Sequence, residues 1–183
     1  MSRFDMIRDA GGDPQLASLY REITASGMGG PSPLNWFCSQ GIRPDILAGT
    51  WALSKGVLFA GRLPATIKQM IVVLISSSND CSYCRATHAQ ALQGMGVAAD
   101  LIDSLTTDIN LEKVPPTQRK ILQFALQVSQ NPQQITDGDV GDLRAYGLGD
   151  DEILEIIMVA TFTNFINLWS DVSGIAVDEE GGA

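Results

Sequence analysis

Histidine occurs once in this chain of 183 residues and cysteine three times. Chemistry built on several imidazoles, or a fold held by a disulfide framework, is therefore excluded. Basic residues are also few: 12 Lys and Arg stand against 21 Asp and Glu, a formal net charge of −9. Nucleic acid and anionic membrane reward clustered Lys and Arg, so neither is expected as a partner. The longest aliphatic run, Met70 to Ile75, is far too short to span a bilayer, and the opening Met1-Ser2-Arg3-Phe4-Asp5 lacks the apolar stretch of a signal peptide. The expectation is a cytoplasmic protein whose thiols are kept reduced unless they cycle.

What is present is an ordinary globular composition, 45% hydrophobic and 18% charged, at a length that suits one domain with a real core. The apolar bias fits subunits that bury further surface against each other. Asp13-Pro14 reads as a cap and a first-turn proline, followed by Leu16, Leu19, Tyr20 and Ile23 at helical spacing. A loop is expected over 27–33, a short helical turn over 34–40 carrying Trp36, Phe37 and Cys38, and a long helix over 44–60 stopped by Gly61. Pro64 opens the next helix. Its run Met70-Ile71-Val72-Val73-Leu74-Ile75 could be a buried strand by propensity, but Thr66 to Gln69 carry a helical register, and a helix apolar all round suits the centre of an all-helical domain. Further helices are expected over 98–107, 116–129 and 136–146, where Thr136 and Asp139 can form a capping box. The last runs over 151–172, with Asp150-Asp151-Glu152 at its positive end and Thr161, Thr163, Asn164 and Asn167 as internally satisfied polar groups. The reading is all-α: an N-terminal extension over 1–12, one helical domain over 13–175 and an unstructured acidic tail over 176–183.

The chemistry is concentrated in Asn79-Asp80-Cys81-Ser82-Tyr83-Cys84-Arg85-Ala86-Thr87-His88, which holds two of the cysteines and the sole histidine. If Cys81 opens a helix, Cys84 and His88 follow at spacings of three and four and share one face. With Asn79 or Asp80 as cap, Cys81 would lie in the first turn, where unpaired N–H groups and the helix dipole favour a thiolate. Two thiols at this spacing can close a disulfide, and the imidazole one turn on can move a proton. Two inert readings stand beside this one: buried cysteines acting as small hydrophobes, and a structural zinc site, which would need Cys38 as a further ligand.

This motif, with Leu63-Pro64 and the Gln69 to Ile75 run before it, resembles the core of the AhpD-like alkylhydroperoxidases within the carboxymuconolactone decarboxylase superfamily. The likeness extends back to Pro33-Leu34-Asn35-Trp36-Phe37 and Pro44-Asp45-Ile46-Leu47, and forward to Gln123-Phe124-Ala125-Leu126, Leu143 to Leu148 and the final helix. It implies an AhpD-like helical bundle that assembles as a homo-oligomer, a trimer or hexamer. It also implies a thiol-dependent peroxidase with Cys84 as peroxidatic residue, Cys81 as resolving residue and His88 in a proton relay. The helix-start argument alone would make Cys81 the more acidic thiol. A hydroperoxide or related small-molecule oxidant would be the substrate and a dithiol or thioredoxin-like protein the reductant; no cofactor or metal is required.

Two positions depart from the family pattern. Gln69 stands where members often carry a glutamate, and an amide cannot act as a base at neutral pH. Tyr83 stands where the best-known members have a second histidine. Asp80 is the nearest group from which the relay could borrow a carboxylate. The rival readings are a disulfide-exchange oxidoreductase, a decarboxylase or lactone-processing enzyme of the same superfamily, and a non-catalytic helical oligomer with a structural Cys/His site. Cys38 is given no role.

Overall fold

In the computed structural model, which describes residues 2–27, 32–108 and 110–178, every regular element is helical. The α-helices are α1 Pro14–Ala25, α2 Asn35–Cys38, α3 Pro44–Ser54, α4 Ala65–Ser78, α5 Ser82–Gly94, α6 Ala99–Thr107, α7 Pro116–Gln130, α8 Asp137–Ala145 and α9 Asp150–Ser173. The expected loop over 27–33 falls largely on residues 28–31, outside the described residues.

The ambiguous apolar run is a helix, and it forms the axis of the fold. From Ile67 to Ser76 every residue of α4 is buried, because α5, α6, α7 and α9 pack around it. Surrounded in this way, a helix has no polar face to keep, so hydrophobic periodicity disappears and only length and flanks betray it. The capping box of α8 forms as expected: Thr136 N donates to Asp139 Oδ2 at 2.8 Å and Asp139 N to Thr136 Oγ1 at 3.3 Å. At the start of α9, Gly149 N donates to Glu152 Oε2 at 2.9 Å.

The helix expected over 44–60 is not uniform. It is α-helical only to Ser54, and Lys55–Phe59 widens into a π-helical turn. That turn is held by Lys68, whose ammonium is buried at 1% exposure beside Glu155 at 2.8 Å. It also donates to the Val57 and Ala60 carbonyls. Glu155 in turn accepts from Arg62 N and Leu63 N at 2.7 and 3.1 Å. A π turn leaves carbonyls displaced from the ordinary ladder, and here a buried cation takes them up. The knot joins the α3–α4 connection to α9.

Arg3 and Asp178, near either end of the described residues, are tied to the bundle. Arg3 N donates to Ser173 O at 2.8 Å, and its guanidinium donates to the Asp171 and Val172 carbonyls at the end of α9. Residues 179–183 of the tail expected to be unstructured lie outside the described residues. Asp178, which belongs to the same tail, is fastened: it accepts from Asn35 N at 2.7 Å and from the Tyr83 hydroxyl at 2.6 Å. Among the described helices α9 alone has the length and hydropathy to cross a bilayer, yet half of its most apolar window is buried against the other helices.

Candidate active site

The chain turns sharply between α4 and α5. Asn79 closes α4, Asp80 adopts a left-handed conformation with φ 57°, and Cys81 is itself the N-cap of α5. This corrects the expectation that Asn79 or Asp80 caps the motif helix. The Asn79 amide is engaged elsewhere, donating to Asn164 Oδ1 and Asn167 Oδ1, both at 2.9 Å, while Asn167 donates to Ser76 Oγ at 2.9 Å. Asn164 and Asn167 are thus satisfied inside the bundle, as expected, and they lock the start of α5 onto α9. Asp80 makes the turn with its side chain exposed, so the carboxylate suggested for the relay points away from the thiols' buried surroundings.

Cys81 and Cys84 are both buried, at 0% and 1% exposure, and unbridged. Cys84 Sγ lies 3.3 Å from Ser170 Oγ, and Cys81 Sγ is 3.9 Å from the Asn167 carbonyl. The two thiols are pushed apart in acidity. The Cys81 thiol supports an anion on Cys84, with Ser170 and Asn167 adding to it against the cost of burial, and Cys84 is held below the ordinary thiol range. Cys81 is pushed up by its hydrogen bond to Cys84 and by burial. The helix-start argument therefore fails at this site. The N-cap position does not confer the lower pKa, because the pair is coupled and the anion-stabilising neighbours converge on Cys84.

His88 lies one turn beyond Cys84 and is 7% exposed. Its Nδ1 is 2.5 Å from Gln69 Oε1. An amide oxygen can only accept, so Nδ1 carries the proton and Nε2 keeps its lone pair. Burial lowers the His88 pKa to about 4. The imidazole is therefore uncharged at neutral pH.

Cys84, His88, Tyr83 and Thr87 from α5 line one cavity, together with Trp36 and Phe37 from α2 and Phe162 and Ile166 from α9. Its volume is about 40 Å³, room for a few water-sized groups. Among the described residues no Lys or Arg contributes to the wall. Trp36 and Phe37 are core residues and cavity wall at once: both are buried, and their rings meet edge to face at 5.1 Å. Tyr83 fixes the wall, its hydroxyl accepting from Trp36 N at 3.1 Å while donating to Asp178. Burial and the Asp178 carboxylate push its pKa well up, so it is no base.

The structure thus brings Cys81, Cys84, His88, Gln69 and Tyr83 together and leaves Asp80 outside. Cys38 is apart as well: its thiol donates to the Pro33 carbonyl at 3.4 Å, and burial raises its pKa. Among the described residues no three His, Cys, Asp or Glu side chains converge on a metal position, so Cys38 does not complete a zinc site with the motif. Sequence reasoning missed Ser170 and Asp178. Each reaches the motif from more than 80 residues away (|i−j| of 86 and 95), and no local spacing signals such a contact.

Residues 44–109 match the model of the carboxymuconolactone decarboxylase family. No curated protein matches the chain. Among solved structures, an uncharacterized peroxidase-related protein from Ralstonia eutropha JMP134, described as an alkylhydroperoxidase AhpD core, superposes with a TM-score of 0.84 at 24% identity, covering 97% of this chain and 93% of its own. A peroxidase-related protein from Silicibacter sp. TM1040 gives 0.84 at 22% identity, covering 97% and 95%. The debrominase Bmp8, in complex with 2,3,4-tribromopyrrole, gives 0.79 at 18% identity, covering 97% and 94%. At these identities the likeness is one of fold.

Proposed function

We propose that this chain, whose residues 44–109 match the carboxymuconolactone decarboxylase family model on an AhpD-like fold, is a member of that superfamily and a thiol-dependent peroxidase. The Cys84 thiolate attacks the terminal oxygen of a hydroperoxide, the O–O bond breaks, and the departing alkoxide takes a proton to leave as an alcohol. Cys84 is then a sulfenic acid. The Cys81 thiol attacks its sulfur, the S–S bond forms, and hydroxide leaves with a proton as water. His88 Nε2 is the group that accepts and returns protons in this cycle. A dithiol or thioredoxin-like protein in the cytoplasm restores the two thiols.

The observation that carries the reading is that Cys84, the more acidic of two adjacent buried thiols, shares a cavity wall with an uncharged histidine. Burial of both sulfurs suits a small oxidant that enters through the cavity, and a protein reductant then requires the start of α5 to open around the disulfide. The absence of Lys and Arg from the cavity wall counts against a decarboxylase or lactone-processing role, whose substrate carboxylate calls for a cation. We further propose that the protein is a homo-oligomer. Leu154, Met158, Phe165, Leu168 and Val172 form an exposed apolar stripe along the outer side of α9, a surface that suits a second copy.

The test is a thiol count by mass spectrometry before and after one equivalent of an organic hydroperoxide, with peptide mapping. A two-proton mass loss mapped to Cys81 and Cys84 is expected. Cys84→Ser should abolish peroxide turnover, and Cys81→Ser should allow one oxidation without disulfide closure. Unchanged thiols would sink the reading. Bromide release from 2,3,4-tribromopyrrole without peroxide consumption would move it toward the debrominase neighbour's chemistry.

A further inference from the structure

Ser170 touches the thiol that the proposed reaction uses, yet it lies on α9, far from the motif in sequence. It is 2% exposed, with Oγ 3.3 Å from Cys84 Sγ and 2.8 Å from the Ile166 carbonyl. A hydroxyl has one hydrogen to give and two lone pairs to accept with. While that hydrogen rests on Ile166 O, Ser170 can meet Cys84 only as an acceptor of its S–H. A thiolate has no hydrogen to offer. Once Cys84 ionises, the arrangement is satisfied only if the Ser170 O–H turns from the carbonyl to the sulfur. The turn leaves no orphan, since Ile166 O keeps the backbone N–H bond of the α-helix.

We propose that Ser170 is a hydroxyl switch for Cys84, accepting from the thiol in the resting enzyme and donating to the thiolate in the attacking one. The inference rests on the reading of Cys84 as the attacking sulfur. Such a switch matters here because the sulfur is 1% exposed, so bulk water does little to solvate the anion. The other donor on this side, the Asn167 amide, is fixed by Ser76 and Asn79 and cannot re-aim freely. Ser170 alone can change role with the charge state of the sulfur, through a rotation about a single bond.

The titratable groups whose charge reaches Cys84 are Cys81 on its own helix and the exposed Asp171 on α9, with His88 a turn further on. None of them is altered by substituting Ser170. The test is the pH dependence of Cys84 alkylation by iodoacetamide, read by peptide mapping in the reduced protein. In Ser170→Ala the midpoint should rise by about one pH unit, and the rate at pH values below both midpoints should fall about tenfold. Ser170→Thr, which keeps the hydroxyl, should return the wild-type midpoint.

A Ser170→Ala profile that superimposes on wild type overturns the proposal, as does a Ser170→Thr profile that follows Ser170→Ala. A second readout needs no change at Ser170. The infrared S–H stretch of Cys84 in protein carrying Cys38→Ser and Cys81→Ser, where it is the one thiol left, should lie at the lowered frequency of a hydrogen-bonded donor, and an unbonded frequency refutes the resting arrangement. Failure of the peroxidase reading looks different: wild-type Cys84 would alkylate with a low midpoint and still survive hydroperoxide unoxidised.

Discussion

The contact between Gln69 and His88 fixes which imidazole nitrogen carries the proton. Burial lowers the His88 pKa to about 4, against roughly 6.5 in an unfolded chain. Between those values the unfolded chain binds a proton that the folded one refuses. Stability is therefore complete above the unfolded pKa and is lost as pH falls from there toward 4. At about 1.4 kcal/mol per unit, the loss attributable to His88 approaches ~3 kcal/mol. Urea unfolding at a series of pH values should show it, and His88→Gln should flatten that part of the curve. Gln69→Glu places a carboxylate against Nδ1 and should raise the His88 midpoint. With one histidine in the chain, a single imidazole resonance reports the titration. Peroxide turnover should rise with it if proton transfer limits the cycle; unchanged turnover with a raised midpoint would put the slow step elsewhere. The stripe of Cys81, Cys84 and His88 was legible because helical spacing is local. The roles of its partners were not, since Ser170 and Asp178 reach the stripe only after folding.

At the scale of elements, α4 was the hardest segment to read and is the best buried. Its one cation, Lys68, reads in the sequence only as part of the helical register of Thr66 to Gln69. It is instead a buried ion whose carboxylate comes from α9 and whose carbonyl partners come from the π turn. Nothing in composition distinguishes a π turn from the α-helix it extends, which is why 44–60 reads as one continuous helix. Removing one member of a buried ion pair leaves the other uncompensated. Lys68→Met should therefore cost about 3 kcal/mol in urea unfolding. A loss below ~1 kcal/mol would mean that the Arg62 and Leu63 amides hold Glu155 unaided. Gly61, at φ 98°, sits directly against the Glu155 carboxylate, so Gly61→Ala should also destabilise the protein, through both backbone strain and the side chain it displaces.

For the whole molecule, the all-helical architecture followed from caps, prolines and periodicity, but a sequence cannot show which face of a doubly apolar helix looks outward. In α9 the inward face includes Ile153, Ile156, Val159, Ala160 and Ile166, while Leu154, Phe165, Leu168 and Val172 remain exposed. If that stripe joins subunits, analytical ultracentrifugation should find an oligomer, and Leu168→Glu with Val172→Glu should shift it toward monomer with the helical signal intact. A wild-type monomer at micromolar concentration would remove the oligomer proposal without touching the thiol chemistry.

The fastening of Asp178 to Tyr83 and Asn35 has a practical corollary for anyone preparing this protein. Proteolytic nibbling back past 178 deletes the carboxylate that steadies Tyr83, one of the two residues between the cysteines. Samples that keep and samples that lack Asp178 should then differ in the hydroperoxide oxidation of Cys84, read by peptide mapping. Intact-mass verification of the C-terminus belongs in the first purification rather than after the first kinetic discrepancy.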